Sequence, residues 1–242
     1  MGGFLLGILG GMGPLATVDL LQKIIEETPA SRDQLHAPVV VWNVPQVPDR
    51  QLALAGAGPS PLAQLQLGLA QLNRMDVSRV LIPCNTAHYW YPQLAQASRA
   101  PILHIADAAT EELRRQTVNR VGLIATQGTL DATLFQPRFA ELGIETLIPR
   151  AAEMKEWFVP GCYAVKRGDL RQGGEGFARL ADALAKRGAE RLVLACSEVP
   201  PALAAMRSPW LAISIDPTRA LAKAAVRYWL AYRDRDAEKT VI

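Results

Sequence analysis

Arg79-Val80-Leu81-Ile82-Pro83-Cys84-Asn85-Thr86 returns, at an offset of 112 residues (84 to 196), as Arg191-Leu192-Val193-Leu194-Ala195-Cys196-Ser197-Glu198. Each stretch opens on an arginine, runs through apolar residues and ends on a cysteine followed by two polar residues. A continuous apolar run of this length reads as a strand covered on both faces, the habit of parallel sheets. Two more pairs keep the same order. Gly7-Ile8-Leu9-Gly10-Gly11-Met12-Gly13 parallels Gly122-Leu123-Ile124-Ala125-Thr126-Gln127-Gly128 at an offset of 115 (7 to 122). Ile102-Leu103-His104-Ile105-Ala106-Asp107 resembles Ala212-Ile213-Ser214-Ile215-Asp216 at an offset of 110 (105 to 215). Any one pair is within reach of chance, because buried strands resemble one another. Three in one order at nearly one spacing indicate two copies of one α/β unit.

Around these segments, strands are expected at Phe4–Leu9, Pro38–Val44, Arg79–Ile82, Pro101–Leu103, Arg120–Ala125, Glu145–Ile148, Arg191–Ala195 and Leu211–Ile215. Helical periodicity lies between most of them, as at Pro61–Met75 and Gly176–Lys186. Alternating strands and helices predict an α/β fold of two pseudo-symmetric domains, each a parallel sheet flanked by helices. The first domain takes 1–106 and the second 107–216, with the final helix, Pro217–Arg233, returning to the first so that 217–242 belongs to it. The charged tail Arg233-Asp234-Arg235-Asp236-Ala237-Glu238-Lys239 is expected to be solvated. In open parallel sheets functional groups gather beyond the carboxyl ends of strands. The repeat therefore directs Cys84 and Cys196 into one interdomain cleft.

Composition narrows the function. The 242 residues are 50% hydrophobic and 20% charged with a formal net charge of +3, ordinary for a globular protein. Lys and Arg are dispersed, without a basic stripe interleaved with aromatics, which argues against nucleic acid as a partner. No apolar run reaches bilayer length. The opening Met1–Gly10 lacks a basic leader and is interrupted by glycine, so it reads as a buried strand and not as a signal peptide. Three cysteines make a poor disulfide framework and are expected to be free thiols in a cytoplasmic protein.

Two thiols of similar chemistry suit proton exchange at a carbon centre. A free cysteine titrates at about 8.5, so modest tuning leaves one sulfur as thiolate and the other as thiol near neutrality. The thiolate can take a proton from one face of a carbon while the thiol delivers one to the other. Burial as a small apolar residue is the common fate of a free cysteine; matched strand-end positions favour the chemical role. Cys162 has no partner in the repeat and reads as structural or incidental.

The motifs Pro83-Cys84-Asn85-Thr86-Ala87-His88 and Ala195-Cys196-Ser197-Glu198 resemble the two cysteine motifs of the aspartate/glutamate racemase family. The similarity extends over Gly10–Thr17, Thr28–Gln34, Pro45–Arg50, Ala125–Thr129 and Val165–Leu170, and is closest to the aspartate racemase branch. One departure is Ala195-Cys196-Ser197-Glu198 where the family usually reads Gly-Cys-Thr-Glu. The resemblance implies racemisation by two cysteines without pyridoxal phosphate or any other cofactor, and a homodimer. It also implies that Arg50 and Lys166 hold carboxylates of a small amino dicarboxylate such as aspartate.

Other pocket candidates follow from position. Asn85, Thr86 and Ser197 can bind the reacting carboxylate and its developing charge, or make local turn bonds. Thr126, Gly128 and Thr129 begin the loop equivalent to the N-terminal glycine cluster and are expected to line the cleft, with Met12 shaping its wall. Glu198 either orients Cys196 or caps the following helix. His88 is expected to be a satisfied structural histidine, the alternative being a group that raises the thiolate fraction of Cys84. Cys84 and His88 alone are too sparse for a metal site, so none is expected. Rival readings are a glutamate racemase, a same-fold isomerase or decarboxylase, and a non-catalytic two-lobed binding protein. A nucleotide-dependent oxidoreductase is a further rival, since Gly11-Met12-Gly13-Pro14-Leu15-Ala16 fits G-x-G-x-x-A, although no acidic residue ends the second strand.

Overall fold

A computed structural model describes residues 3–240, with side chains as far as 235. Residues 1, 2, 241 and 242 and the expected solvated side chains of Asp236–Lys239 lie outside the described residues. Among the described residues there are seven strands: β1 (Leu6–Gly10), β2 (Val39–Asn43), β3 (Arg79–Leu81), β4 (Arg120–Ala125), β5 (Glu145–Leu147), β6 (Arg191–Ala195) and β7 (Ser214–Ile215). They form two parallel sheets, β2-β1-β3 and β5-β4-β6-β7. Ile102 bridges Val80 beside β3 where β7 stands beside β6, which makes the two orders equivalent.

The repeat offsets reappear in the strand register. Gly7 pairs with Val80 in the first sheet, and Gly122 pairs with Leu192 in the second. These are the residues matched at offsets of 115 and 112 (7 to 122, 80 to 192). A one-residue slip would turn every side chain to the opposite face, so the same register puts Cys84 and Cys196 at equivalent heights beyond their sheets.

Each central strand is covered on both faces. Leu6 and Ile8 of β1 pack with Leu20, Ile24 and Leu221, whereas Leu9 packs with Leu65, Leu69 and Leu72. Helix Pro14–Glu27 and the last helix, Pro217–Thr240, cover the first face, and helix Leu62–Arg74 the second. In the second unit, Leu123, Ile124 and Val193 share a core with Phe139, Phe177, Leu180 and Leu184. The last helix touches both cores: Leu221, Ala222, Ala225 and Val226 face the first sheet, and Ala220 and Ala224 join the second-unit core.

Three elements differ from expectation. Only Ser214–Ile215 of the predicted strand Leu211–Ile215 is extended, because Pro209, which lacks an N–H, opens a 3-10 turn over Pro209–Ile213. Pro101–Leu103 is reduced to the Ile102 bridge, crowded between Pro101 and the helix that begins at Ile105. The helix expected at Gly176–Lys186 starts at Leu170, where the Asp169 side chain accepts the Gln172 N–H at 2.9 Å. Gly173, Gly174 and Gly176 lower intrinsic helicity, but tight packing requires glycine here: a Cβ on Gly174 would stand 2.7 Å from the Ala202 carbonyl oxygen, and one on Gly176 2.6 Å from that of Trp157.

Candidate active site

Cys84 lies beyond β3, and Cys196 follows the last residue of β6. Both are buried, and both line one narrow pocket between the two units. The first unit contributes Met12, Asp49, Arg50, Gln51, Asn85 and Thr86 to its walls; the second contributes Thr126, Cys162, Lys166, Ser197 and Glu198. The inner pocket measures about 20 Å³, enough for about one water-sized sphere. It adjoins a cavity of about 560 Å³ that shares Asp49, Arg50, Lys166, Ser197 and Glu198 and adds Leu15, Val47 and Val165.

Arg50 opens helix Arg50–Leu54, whose N-cap is Asp49; that carboxylate accepts the N–H groups of Gln51 at 2.8 Å and Leu52 at 3.1 Å. The Arg50 Nη1 donates to the carbonyls of Val47 at 3.2 Å and Pro48 at 3.0 Å, which holds the guanidinium in place. Among the described residues its buried Nε has no hydrogen-bond partner, nor has the Oδ1 of Asn85. A buried donor and a buried acceptor without partners in one pocket are costly unless a polar ligand satisfies them.

Lys166 comes from the opposite wall, on helix Val159–Lys166, and lies 3.5 Å from Asp49. Cys162 is one helical turn earlier, so the two side chains share a face. A π-turn over Met154–Phe158 leads into this helix at Pro160, whose ring removes one helical donor. Burial disfavours the Lys166 ammonium, but Cys162, Glu198, Asp49 and Cys196 together outweigh it and raise its pKa.

The two thiols sit in different fields. Burial pushes Cys84 up, opposed by the Arg50 guanidinium, the Ala87 N–H and Lys166. Cys162 beside it, burial and the Glu198 carboxylate push Cys196 well above the ordinary thiol value. Cys196 Sγ donates to Glu198 Oε2 at 3.0 Å, and Ser197 Oγ donates to the same oxygen at 3.3 Å. Both thiols are therefore held above the ordinary value, Cys196 further than Cys84, where Arg50 and Lys166 oppose the rise.

His88 is a structural group. Its Nδ1 lies 2.9 Å from the Cys84 carbonyl, and its Nε2 accepts the Ile105 N–H at 3.3 Å, a pattern that fits the neutral ring. Burial lowers its pKa to about 4. Two expectations change. Gly128 lines a separate outer groove with Leu52, Leu54 and Tyr89. Thr129 is fully buried behind the pocket, its hydroxyl 3.1 Å from that of Thr86 and 2.9 Å from that of Thr126. In the helix that starts at Gln127, Thr129 backs the pocket hydroxyls from behind, Gly128 lies outside, and only the N-cap, Thr126, lines the cleft.

Cys162, set aside by the repeat, stands in the wall, as do Asp49 and Gln51. Asp49 had a local signal, since Asp before a helical stretch is a cap; Cys162 had none. The glycine run makes a turn: Thr17 Oγ1 accepts the Gly11 N–H at 2.9 Å, which occupies a donor a dinucleotide phosphate would need.

Comparison with known proteins places the chain in a family. Residues 9–225 match the family model described as Asp/Glu/Hydantoin racemase. Aspartate racemase of Picrophilus torridus is 27% identical, with 96% of this chain and 98% of that chain covered at a TM-score of 0.83. Broad specificity amino-acid racemase RacX of Bacillus subtilis is 24% identical over 235 residues, covering 95% of this chain and all of the relative. Glutamate racemase of Francisella tularensis, solved with D-glutamate, shares the fold at 16% identity and a TM-score of 0.66, covering 96% of this chain and 82% of that one.

Proposed function

The chain belongs to the Asp/Glu/hydantoin racemase family, and we propose that it is an amino-acid racemase that inverts the α-carbon of aspartate with Cys84 and Cys196 as its two bases. The observation that carries this reading is the pair of cysteines at equivalent strand ends, lining one pocket from opposite units beside a buried arginine. Aspartate is favoured by the likeness to the Picrophilus torridus aspartate racemase.

On this reading the two units, 1–106 with 217–242 and 107–216, are the jaws of the cleft, and substrate enters through the adjoining cavity. Arg50, through its free Nε, and Lys166 bind the carboxylates. The Asn85 Oδ1 accepts from the substrate ammonium, while the hydroxyls of Thr86, Thr126 and, on release from Glu198, Ser197 bind the reacting carboxylate; Met12 closes the wall. For one enantiomer the Cys84 thiolate takes the α-proton. The electron pair of the C–H bond delocalises into the carboxylate, stabilised by the surrounding donors. Cys196 then delivers its proton to the opposite face, and Glu198 holds that proton in place beforehand. The reverse reaction exchanges the roles, and no cofactor enters the scheme. The assembly carried with this reading is a homodimer, tested by light scattering.

Replacing either cysteine by alanine is expected to lower racemisation at least about a hundredfold, the low end for a positioned acid or base. In D₂O the wild type should place deuterium at the α-carbon of aspartate. Full activity in Cys84→Ala or Cys196→Ala, measured by chiral chromatography, would end the two-thiol reading. A broader substrate range is the second reading, favoured by the apolar Leu15, Val47 and Val165 in the 560 Å³ cavity. A chiral assay across aspartate, glutamate and apolar amino acids separates the two.

A further inference from the structure

Cys162 has no step in the two-thiol reaction, yet it stands against the base that the second unit supplies. Its Sγ, the Cys196 Sγ and a Glu198 carboxylate oxygen all lie within 4.8 Å of one another, and all three residues are buried. Among the described residues this is the group of three Cys, His, Asp or Glu side chains gathered in this way. Two sulfurs and one carboxylate oxygen are the donor types that zinc takes, at about 2.3 Å and 2.0–2.2 Å. A tetrahedral zinc ion with those bond lengths holds its sulfurs about 3.8 Å apart, so the cluster closes around a cation by movement of about 1 Å. A disulfide between Cys162 and Cys196 would need the sulfurs at about 2.05 Å, a far larger displacement in a packed wall.

We infer that Cys162, Cys196 and Glu198 form a site for a zinc-class divalent cation, and that its occupation takes Cys196 out of racemisation. The site itself stands on geometry; the inhibitory consequence rests on the proposed two-thiol reaction. On binding, the two thiols release their protons to solvent and their sulfur lone pairs go to the metal. Two thiolates, one carboxylate, the Lys166 ammonium and a divalent cation then sum to zero charge, which matters for a buried cluster. Three protein donors leave one tetrahedral position for water, the arrangement of an open zinc site.

Full-length protein, kept reduced with a phosphine, is titrated with cadmium chloride and read by sulfur-to-cadmium charge-transfer absorbance. The band should saturate at one equivalent, and X-ray absorption of the zinc-loaded protein should count two sulfur ligands with oxygen completing the shell. Cys162→Ser should weaken zinc inhibition at least about a hundredfold relative to its own uninhibited rate, since even loss of an outer-shell partner costs ten- to a hundredfold. Absence of the band in reduced protein overturns the site, as does a sulfur count of one or three, or unchanged zinc sensitivity in Cys162→Ser. Should that variant fail to fold, the ligand count on the unsubstituted protein decides. If the band and ligand count are as expected in a chain that racemises no amino acid, the cation site stands and the racemase reading falls. Racemisation without the band has the opposite meaning: the racemase reading stands and the cation site falls.

Discussion

Arg50 and Glu198 show how single residues set the chemistry of this pocket. Arg50 is buried and already holds two backbone carbonyls, so its remaining donors are aimed rather than free to rotate. Arg50→Leu should therefore raise KM for a dicarboxylate at least about tenfold, the loss of roughly one charge-assisted hydrogen bond; an unchanged KM in steady-state kinetics removes its assigned role. Glu198 acts on Cys196 through the 3.0 Å hydrogen bond and its charge, both of which raise the thiol. Glu198→Gln removes the charge, so the Cys196 pKa falls and its thiolate forms at lower pH. The pH profile of kcat/KM, alike for both enantiomers because racemisation has an equilibrium constant of one, should then move to lower pH on the limb that Cys196 sets. A profile that does not move would detach Glu198 from Cys196.

Among the elements, the turn after β1 is the tightest constraint next to the site. Gly11 has φ +98°, and a Cβ there would run into the backbone of Val44. Gly56 also has positive φ, at +69°, but nothing lies near its missing Cβ. Gly11→Ala should cost well over the roughly 1–2 kcal/mol of left-handed strain expected for Gly56→Ala. Urea denaturation of both variants checks the contrast, and equal losses would show that the Val44 contact carries no weight. The need for glycine after β1 is readable from the glycine run. The close approach of Val44 is not, because it comes from the parallel pairing of β1 with β2. Likewise the hydroxyl cluster of Thr86, Thr126 and Thr129 ties the two cysteine-bearing units together behind the pocket, and its members are 40 and 43 residues apart from Thr86.

At the scale of the whole molecule, the last helix joins the two units. Arg219 donates to Glu27 and Glu26, each at 2.7 Å, and Lys223 donates to Glu112 at 2.9 Å. Such exposed pairs add little each; the buried alanines beneath them do more. His88 and His104 make this assembly sensitive to acid. Burial lowers His88 from 6.5 to about 4, and burial followed by the neighbouring His88 lowers His104 to about 2. Above pH 6.5 neither folded nor unfolded chain protonates them, so they leave stability unchanged. As pH falls from 6.5 towards 4, the unfolded chain binds protons that the folded chain refuses, and stability drops, for His88 by on the order of 3 kcal/mol. Melting temperature measured from pH 7 to pH 4 should fall accordingly, and His88→Gln should flatten part of that fall.

The two-unit architecture and the equivalence of Cys84 and Cys196 are legible in the order of the amino acids. Strand patterning is local, and a repeat carries its own alignment. Pairing of Gly7 with Val80 and of Gly122 with Leu192 is the physical form of that alignment. Which loop residues face the cleft, by contrast, emerges from the folded arrangement alone. Helix Gln127–Asp131 carries Gly128 out to a separate groove and sets Thr129 behind the pocket wall. Cys162 turns in because its helix, packed by glycine against its neighbour, presents that face to the pocket. Side-chain direction at such positions is set by helix packing between distant segments, which leaves no periodic trace in the chain.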